Sequence, residues 1–260
     1  MTFITVLGAS GCRYDYGDDT ASFLINNKLV VDTGWNLVEN MLDAGLDPAG
    51  FKTVLFTHLH HDHYLALPQF LFYHINAGTN LGELKLAGPP DINNVLKLAA
   101  DFLQLQKFFG DVDLPECINI GAGGNIQLGG LLIEARQSLH TVDGRLYRVT
   151  DTGTGAKIGL TGDTAYEPAA YELFRGCDML VHECSLGAKH EGDNAYLHAS
   201  AEDAGTAAAI AGVDRLVLAH YPARLRAECR EAAAGKFNGE VLTPVKGDII
   251  YAASKTRIGD

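Results

Sequence analysis

Apolar residues fall along this chain in short runs bounded by glycine or polar positions. Ten of these runs are compact and rich in β-branched or aromatic residues, and they predict strands: Phe3–Leu7, Ser22–Ile25, Leu29–Asp32, Thr53–Phe56, Leu84–Ala87, Leu131–Ala135, Leu146–Val149, Lys157–Leu160, Met179–Val181 and Arg215–Ala219. Elsewhere the apolar spacing lengthens to three and four residues, which predicts helices over Asn36–Ala44, stopped by Gly45, and Asp91–Phe109, stopped by Gly110. A third helix is expected over Ala201–Ala211, where Ser200 and Asp203 form a capping-box arrangement and Gly212 follows the last turn. Strands come first in hairpins and later alternate with helices, so the expected fold is α/β, with sheets covered by helices and not an all-β barrel. No Pro-, Ser- or charge-rich linker interrupts the 260 residues, and one domain over 1–260 is expected.

Several of the runs end in residues able to bind metal. Thr53–Thr57 runs into HLHHDH, which delivers His58, His60, Asp62 and His63; Leu131–Ala135 is followed by His140; Lys157–Leu160 leads to Asp163; Met179–Val181 leads to His182 and Glu183; and Arg215–Ala219 leads to His220. In layered α/β folds the loops leaving the carboxyl ends of strands form the binding crevice. Histidines two apart on extended backbone point the same way, so His58 and His60 suit one ion, while Asp62 and His63, beyond a bend, suit a second. The bland alternative, a solvated histidine-rich loop, does not account for the further His and Asp at later strand ends.

Composition narrows the function classes. A formal charge of −12 leaves little for an extended nucleic-acid footprint, which draws on clustered Lys and Arg. Cys12, Cys117, Cys177, Cys184 and Cys229 are odd in number and free of CxxC spacing, so reduced thiols are expected. The N-terminus MTFITVLGAS lacks a basic leader, and no run approaches the about 18 apolar residues of a membrane span. A cytoplasmic location is expected, with no membrane partner.

These residues resemble the metallo-β-lactamase superfamily, whose signature is a strand followed by HxHxDH, then a distant His, an Asp and a final His. The resemblance covers almost the whole chain and implies a four-layer αββα sandwich with two divalent metal ions, zinc first, with manganese or iron as alternatives. By that likeness His58, His60 and His140 bind one ion, Asp62, His63 and His220 the other, and Asp163 bridges them. The third His stands in SLHTVDGRLYRV and not in a TPGHT-like turn; with TGDT, LVHECS, YLHAS, LVLAHYPAR and VLGASG this is similar to ribonuclease Z and its phosphodiesterase and arylsulfatase relatives. The HEAT-like and HST-like motifs of that branch map onto His182-Glu183-Cys184-Ser185 and His198-Ala199-Ser200. Ribonuclease Z generally carries a long basic arm between the third His and the Asp. Here only residues 141–162 lie between them, and a hairpin through Gly153 to Gly155 uses most of that length. Redox di-iron relatives usually replace the second His of the motif by Glu, and His60 speaks against them.

The implied reaction is hydrolysis by a metal-bridging hydroxide, since such ions bring bound water to ionise near neutral pH. A small phosphodiester, a cyclic nucleotide or cyclic ribose phosphate, is the expected substrate; tRNA 3′ processing is second, and aryl sulfate or lactone hydrolysis third. Asp62 is expected to orient the nucleophile as well as bind metal. His198 is the candidate proton donor to the leaving group, with Glu183 raising its pKa. Asp32 is expected to hydrogen-bond a ligand histidine or to brace the Gly34 loop, and His182 to brace a ring or meet backbone. His61, His74 and His190 default to structural or surface roles. Asn76–Leu81 and Gly187–Asn194 are candidate rim loops. The apolar stripe through Leu98, Phe102, Leu105 and Phe109 is read as core or as the surface of a homodimer.

Overall fold

Alternation along the first strands divides their side chains between two cores. In the computed structural model, which describes residues 1–14 and 16–252, β1 is Phe3–Gly8, β2 Ser22–Ile25, β3 Leu29–Val31 and β4 Thr53–Leu55. Val6, Phe23, Ile25, Val31 and Leu55 face one apolar cluster; Leu7, Leu24, Val30 and Val54 face another. A strand with both faces buried needs a layer on each side, and the two clusters are those layers. The inner cluster joins these residues to Ile133, Tyr147, Val149, Ile158, Leu160, Val181 and Val217 of a second sheet. The outer one packs them against Leu37, Met41, Phe70, Leu71 and Leu96 of covering helices.

The first sheet continues through β5 (Lys85–Gly88) and β6 (Glu116–Asn119) and is closed at its other edge by β14 (Ile249–Tyr251), in the order β14-β1-β2-β3-β4-β5-β6. The second contains β7 (Asn125–Leu128), β8 (Leu131–Gln137), β9 (Arg145–Asp151), β10 (Lys157–Leu160), β11 (Met179–Glu183), β12 (Arg215–Ala219) and β13 (Glu240–Leu242), paired in reverse numerical order. Each sheet begins antiparallel and becomes parallel: β3 to β6 in one, β10 to β13 in the other. The carboxyl ends of β3, β4, β10, β11 and β12 carry the chemistry. The helices are α1 (Leu37–Asp43), α2 (His61–Tyr64), α3 (Leu67–Asn76), α4 (Ile92–Phe102), α5 (Leu105–Phe109), α6 (Ala201–Ala211) and α7 (Arg226–Ala234). Helix on sheet, sheet on sheet and helix again make the expected four-layer αββα sandwich.

Differences from the sequence expectations are local. The helix over Asp91–Phe109 is two helices, broken where Gln104 takes φ 49°. Its apolar stripe divides accordingly. Val95, Leu96, Ala99 and Leu105 are buried, whereas Leu98, Phe102, Phe108 and Phe109 are exposed. Asn76–Leu81 is not a rim loop. It joins α3 to the amino end of β5, which runs parallel to β4, so it lies at the edge opposite the carboxyl ends. The hairpin through Gly153–Gly155 joins β9 and β10 as expected. All five cysteines are free thiols. No helix among the described residues is long and apolar enough to cross a membrane. Asp15, in the loop after VLGASG, and residues 253–260 of the expected domain lie outside the described residues.

Candidate metal centre

The HLHHDH segment leaves β4 extended and then turns. Thr57 is fixed by Asp32, whose carboxylate accepts from Thr57 N at 2.8 Å and Thr57 Oγ1 at 2.7 Å. His60 is extended (φ −80°, ψ 154°) and Asp62 and His63 lie in the single helical turn of α2, which is the bend that swings them away from His58 and His60. The second sheet approaches at two glycines. A Cβ on Gly144 would collide with Ser138 and lie 3.1 Å from that of His58; one on Gly162 (φ 54°) would lie 2.5 Å from Cβ of Thr57. Both contacts need the absence of a side chain. They bring the loops bearing His140 and Asp163 onto the HLHHDH turn.

The structure thereby gathers all seven residues singled out as ligands. His58, His60, His140 and Asp163 offer donor atoms within 4.8 Å of one another, as do Asp62, His63 and His220. Asp163 Oδ2 lies between the sets, 3.6 Å from His58 Nε2, 3.5 Å from His63 Nε2, 4.0 Å from His140 Nε2 and 3.4 Å from His220 Nε2. These separations are long for hydrogen bonds. They match the about 3.4 Å between two donors that each stand about 2.1 Å from a tetrahedral zinc-sized cation. His58 Nε2, His63 Nε2 and Asp163 Oδ1 are buried without a hydrogen-bond partner, a costly arrangement for polar atoms unless a cation completes it. The donor set fits metal ions.

Partners on the far side of each ring set which nitrogen is presented. His63 Nδ1 meets Asp32 Oδ2 at 2.9 Å, His140 Nδ1 meets Leu197 O at 3.1 Å, and His58 Nδ1 meets Thr57 Oγ1, whose own proton goes to Asp32. His220 Nδ1 meets Ser185 Oγ, which in turn donates to Glu183 Oε2 at 2.7 Å. In each case Nδ1–H is the donor, which turns Nε2 toward the cluster, where that of His220 meets Asp62 Oδ2 at 3.1 Å. His60 is reversed: Thr141 Oγ1 lies 3.3 Å from Nε2, and Nδ1 faces His140 Nε2 at 3.0 Å. Of the six non-glycine residues with positive φ among the described residues, three belong here: Asp32 (53°), Leu197 (55°) and His220 (51°). Backbone strain of this kind persists where surrounding contacts fix it.

Electrostatics divide the rings. Burial, reinforced by neighbouring imidazoles, lowers the pKa of His58 and His60, and burial lowers that of His140, so these three are neutral. Burial opposes charge on His63 and His220 too, yet the carboxylate of Asp163, with Asp32 or Asp62, outweighs it and raises both. Asp163 is likewise held ionised against its burial by His220 and His63, and Asp62 by its hydrogen bond from His220 and the charge of His63. Once His63 and His220 give up their extra protons, as ligation of a cation requires, two buried carboxylates facing five neutral imidazoles leave a negative well suited to cations.

His198 stands beside the cluster, 3.8 Å from Asp163 Oδ2. Its Nδ1 donates to Glu183 Oε1 at 2.9 Å, and Glu183 raises its pKa despite burial. Asn194 brackets its backbone on both sides, so the Gly187–Asn194 loop does frame the site. Glu183 is held by Thr164 N at 2.7 Å and Ser185 N at 3.0 Å. His182 meets Glu183 O and Tyr171 OH, away from the cluster. His74 is buried beside Phe70, and burial lowers its pKa to about 4. Sequence reasoning missed Thr57, Thr141, Ser185 and Leu197. The first three flank predicted ligands in sequence or sit in the HECS motif; Leu197 acts through its carbonyl, and a side-chain pattern carries no signal for it.

Asp32 carries a testable load, since one carboxylate sets both Thr57 and the tautomer of His63. Asp32→Ala is expected to weaken metal affinity about 10- to 100-fold, measured by competition with a chelator. Unchanged affinity would refute that role.

Two facing sheets with this donor cluster at their shared edge define a metallo-hydrolase fold. The chain matches the Beta-lactamase superfamily domain over residues 27–221 and belongs to that superfamily. It is 31% identical to an uncharacterized protein of Mycobacterium leprae over 98% of this chain and 90% of the relative. It is 28% identical to Ribonuclease BN of Salmonella paratyphi B over 76% of this chain and 82% of that protein. The metallo-beta-lactamase fold protein YhfI from Bacillus subtilis superposes with a TM-score of 0.80 at 24% identity, covering 95% of this chain and 98% of its own.

Proposed function

We propose that the protein is a two-metal phosphodiesterase acting on a small phosphodiester, a cyclic nucleotide or cyclic ribose phosphate, with Zn²⁺ the first choice of cation and Mn²⁺ or Fe the alternatives. The observation that carries this reading is the His198–Glu183 pair beside a donor cluster in which His58 Nε2, His63 Nε2 and Asp163 Oδ1 have no hydrogen-bond partner. Bound divalent ions supply Lewis acidity to phosphate oxygens and acidify a water. His58, His60 and His140 would hold one ion and Asp62, His63 and His220 the other, with Asp163 shared. The Asp62 carboxylate, kept ionised, would accept a hydrogen bond from the attacking water. His198 keeps its Nδ1 proton on Glu183, which leaves Nε2, without a hydrogen bond among the described residues, to protonate the leaving alkoxide.

The likeness to Ribonuclease BN favours a second reading, a ribonuclease Z-type tRNA endonuclease. Against it stands the tight turn between β9 and β10, which leaves no arm between His140 and Asp163 to clamp an RNA. The test is turnover of bis(p-nitrophenyl) phosphate and cyclic AMP by Zn²⁺- or Mn²⁺-loaded protein, with His60→Ala as control and aryl sulfate, lactone and precursor tRNA in parallel. Phosphodiester turnover well above the control is expected. Its absence refutes the reading, and tRNA cleavage that fades with salt would promote the second.

A further inference from the structure

Trp35 is the chain's single tryptophan, and it is 41% exposed. So large an apolar ring is usually mostly buried. Tyr14 meets it edge-on, with ring centroids 5.8 Å apart and planes at 71°. Asp19, fully buried, ties the pair down. Its carboxylate accepts from Trp35 N at 3.3 Å, Asn36 N at 2.8 Å and Asn40 Nδ2 at 2.7 Å, and Asn36 Nδ2 donates to Tyr14 OH at 3.0 Å.

Three short bonded paths connect this aromatic pair to the Asp62, His63, His220 side of the cluster. Thr20, next to Asp19, donates to Asp62 O at 2.8 Å. Thr33, two residues before Trp35, donates its N–H to His63 O at 2.8 Å. Gly11, on the Tyr14 loop, bonds Tyr221 O through its N–H, and a Cβ there would lie 3.5 Å from His220 Nδ1. The segments that carry the rings are therefore tied to those that carry Asp62, His63 and His220. A diester whose phosphorus sits at the cluster extends a substituent beyond it, and what an exposed aromatic pair offers such a substituent is ring surface.

We propose that Trp35 and Tyr14 form a nucleobase subsite, so that the diester hydrolysed is a nucleotide and not a cyclic ribose phosphate. This rests on the phosphodiesterase reading and narrows its substrate. Stacking tolerates any base, so cyclic AMP and cyclic GMP are both accommodated.

Zn²⁺-loaded protein titrated with AMP and with ribose 5-phosphate tests the subsite through Trp35 emission. Saturable change with AMP alone is expected; no change up to millimolar AMP, or equal change with both, overturns the proposal. For Trp35→Ala the ratio of kcat/KM on cyclic AMP to that on a base-free cyclic ribose phosphate falls about tenfold, and Trp35→Phe keeps most of it. An unaltered ratio also overturns the proposal. Saturable AMP binding without hydrolysis of any diester sinks the catalytic reading and leaves the subsite standing; hydrolysis with silent emission does the reverse.

Discussion

Asp163→Ala is expected to reduce phosphodiester turnover by at least about 10⁴-fold and to lower the metal content of the purified protein. Its Oδ2 stands 3.4 to 4.0 Å from Nε2 of four histidines drawn from both donor groups. Asp163→Asn keeps the volume and removes the charge, so an equal loss from this variant assigns the effect to the carboxylate and not to packing. Kinetics on bis(p-nitrophenyl) phosphate, elemental analysis and circular dichroism read the three quantities separately. A variant that keeps its metal and stays within tenfold of the parent rate would contradict the shared-ligand role.

His198→Ala should divide substrates by leaving group. An alkoxide, such as the ribose oxygen of a cyclic nucleotide, needs a proton, and loss of a positioned acid costs about 10²- to 10⁴-fold. p-Nitrophenolate departs without one, and its ester should suffer much less. Donor atoms of Asp163, His198 and His220 also lie within 4.8 Å of one another, so the same variant asks whether His198 is a ligand. Retained metal with a leaving-group-dependent loss identifies the acid; lost metal with uniform decline identifies a ligand. Glu183→Gln should follow the acid pattern more weakly, because its carboxylate acts on His198.

The interior strands were legible because their positions are apolar on both faces. Ser22–Ile25, Lys157–Leu160 and Arg215–Ala219 have the bounds the sequence suggests. The strands it hides lie at or beside the sheet edges: β6, β7, β13 and β14 are three or four residues long, with exposed positions in each. Short half-wet strands take their structure from the neighbour they pair with. α7, rich in Arg, Glu and Ala, buries only Cys229 and Ala233, too little for an apolar period. The break at Gln104 left no trace because it carries no Gly or Pro. At the site, HLHHDH and the later strand ends showed which side chains converge, since chemistry dictates residue type there. Apart from Asp32, what fixes their rings is a serine, two threonines and a backbone carbonyl, whose types are common everywhere.

The first sheet is completed by the last described strand. β14 lies against β1, with Phe3 opposite Tyr251 and Thr5 opposite Ile249. During synthesis FITVLG emerges long before β14 and waits, one flank unpaired, until residue 249 has been made. Such a flank invites intermolecular pairing in a nascent chain. The order of translation thus sets a period of vulnerability that ends only when β14 reaches β1, after every metal-facing residue has been made.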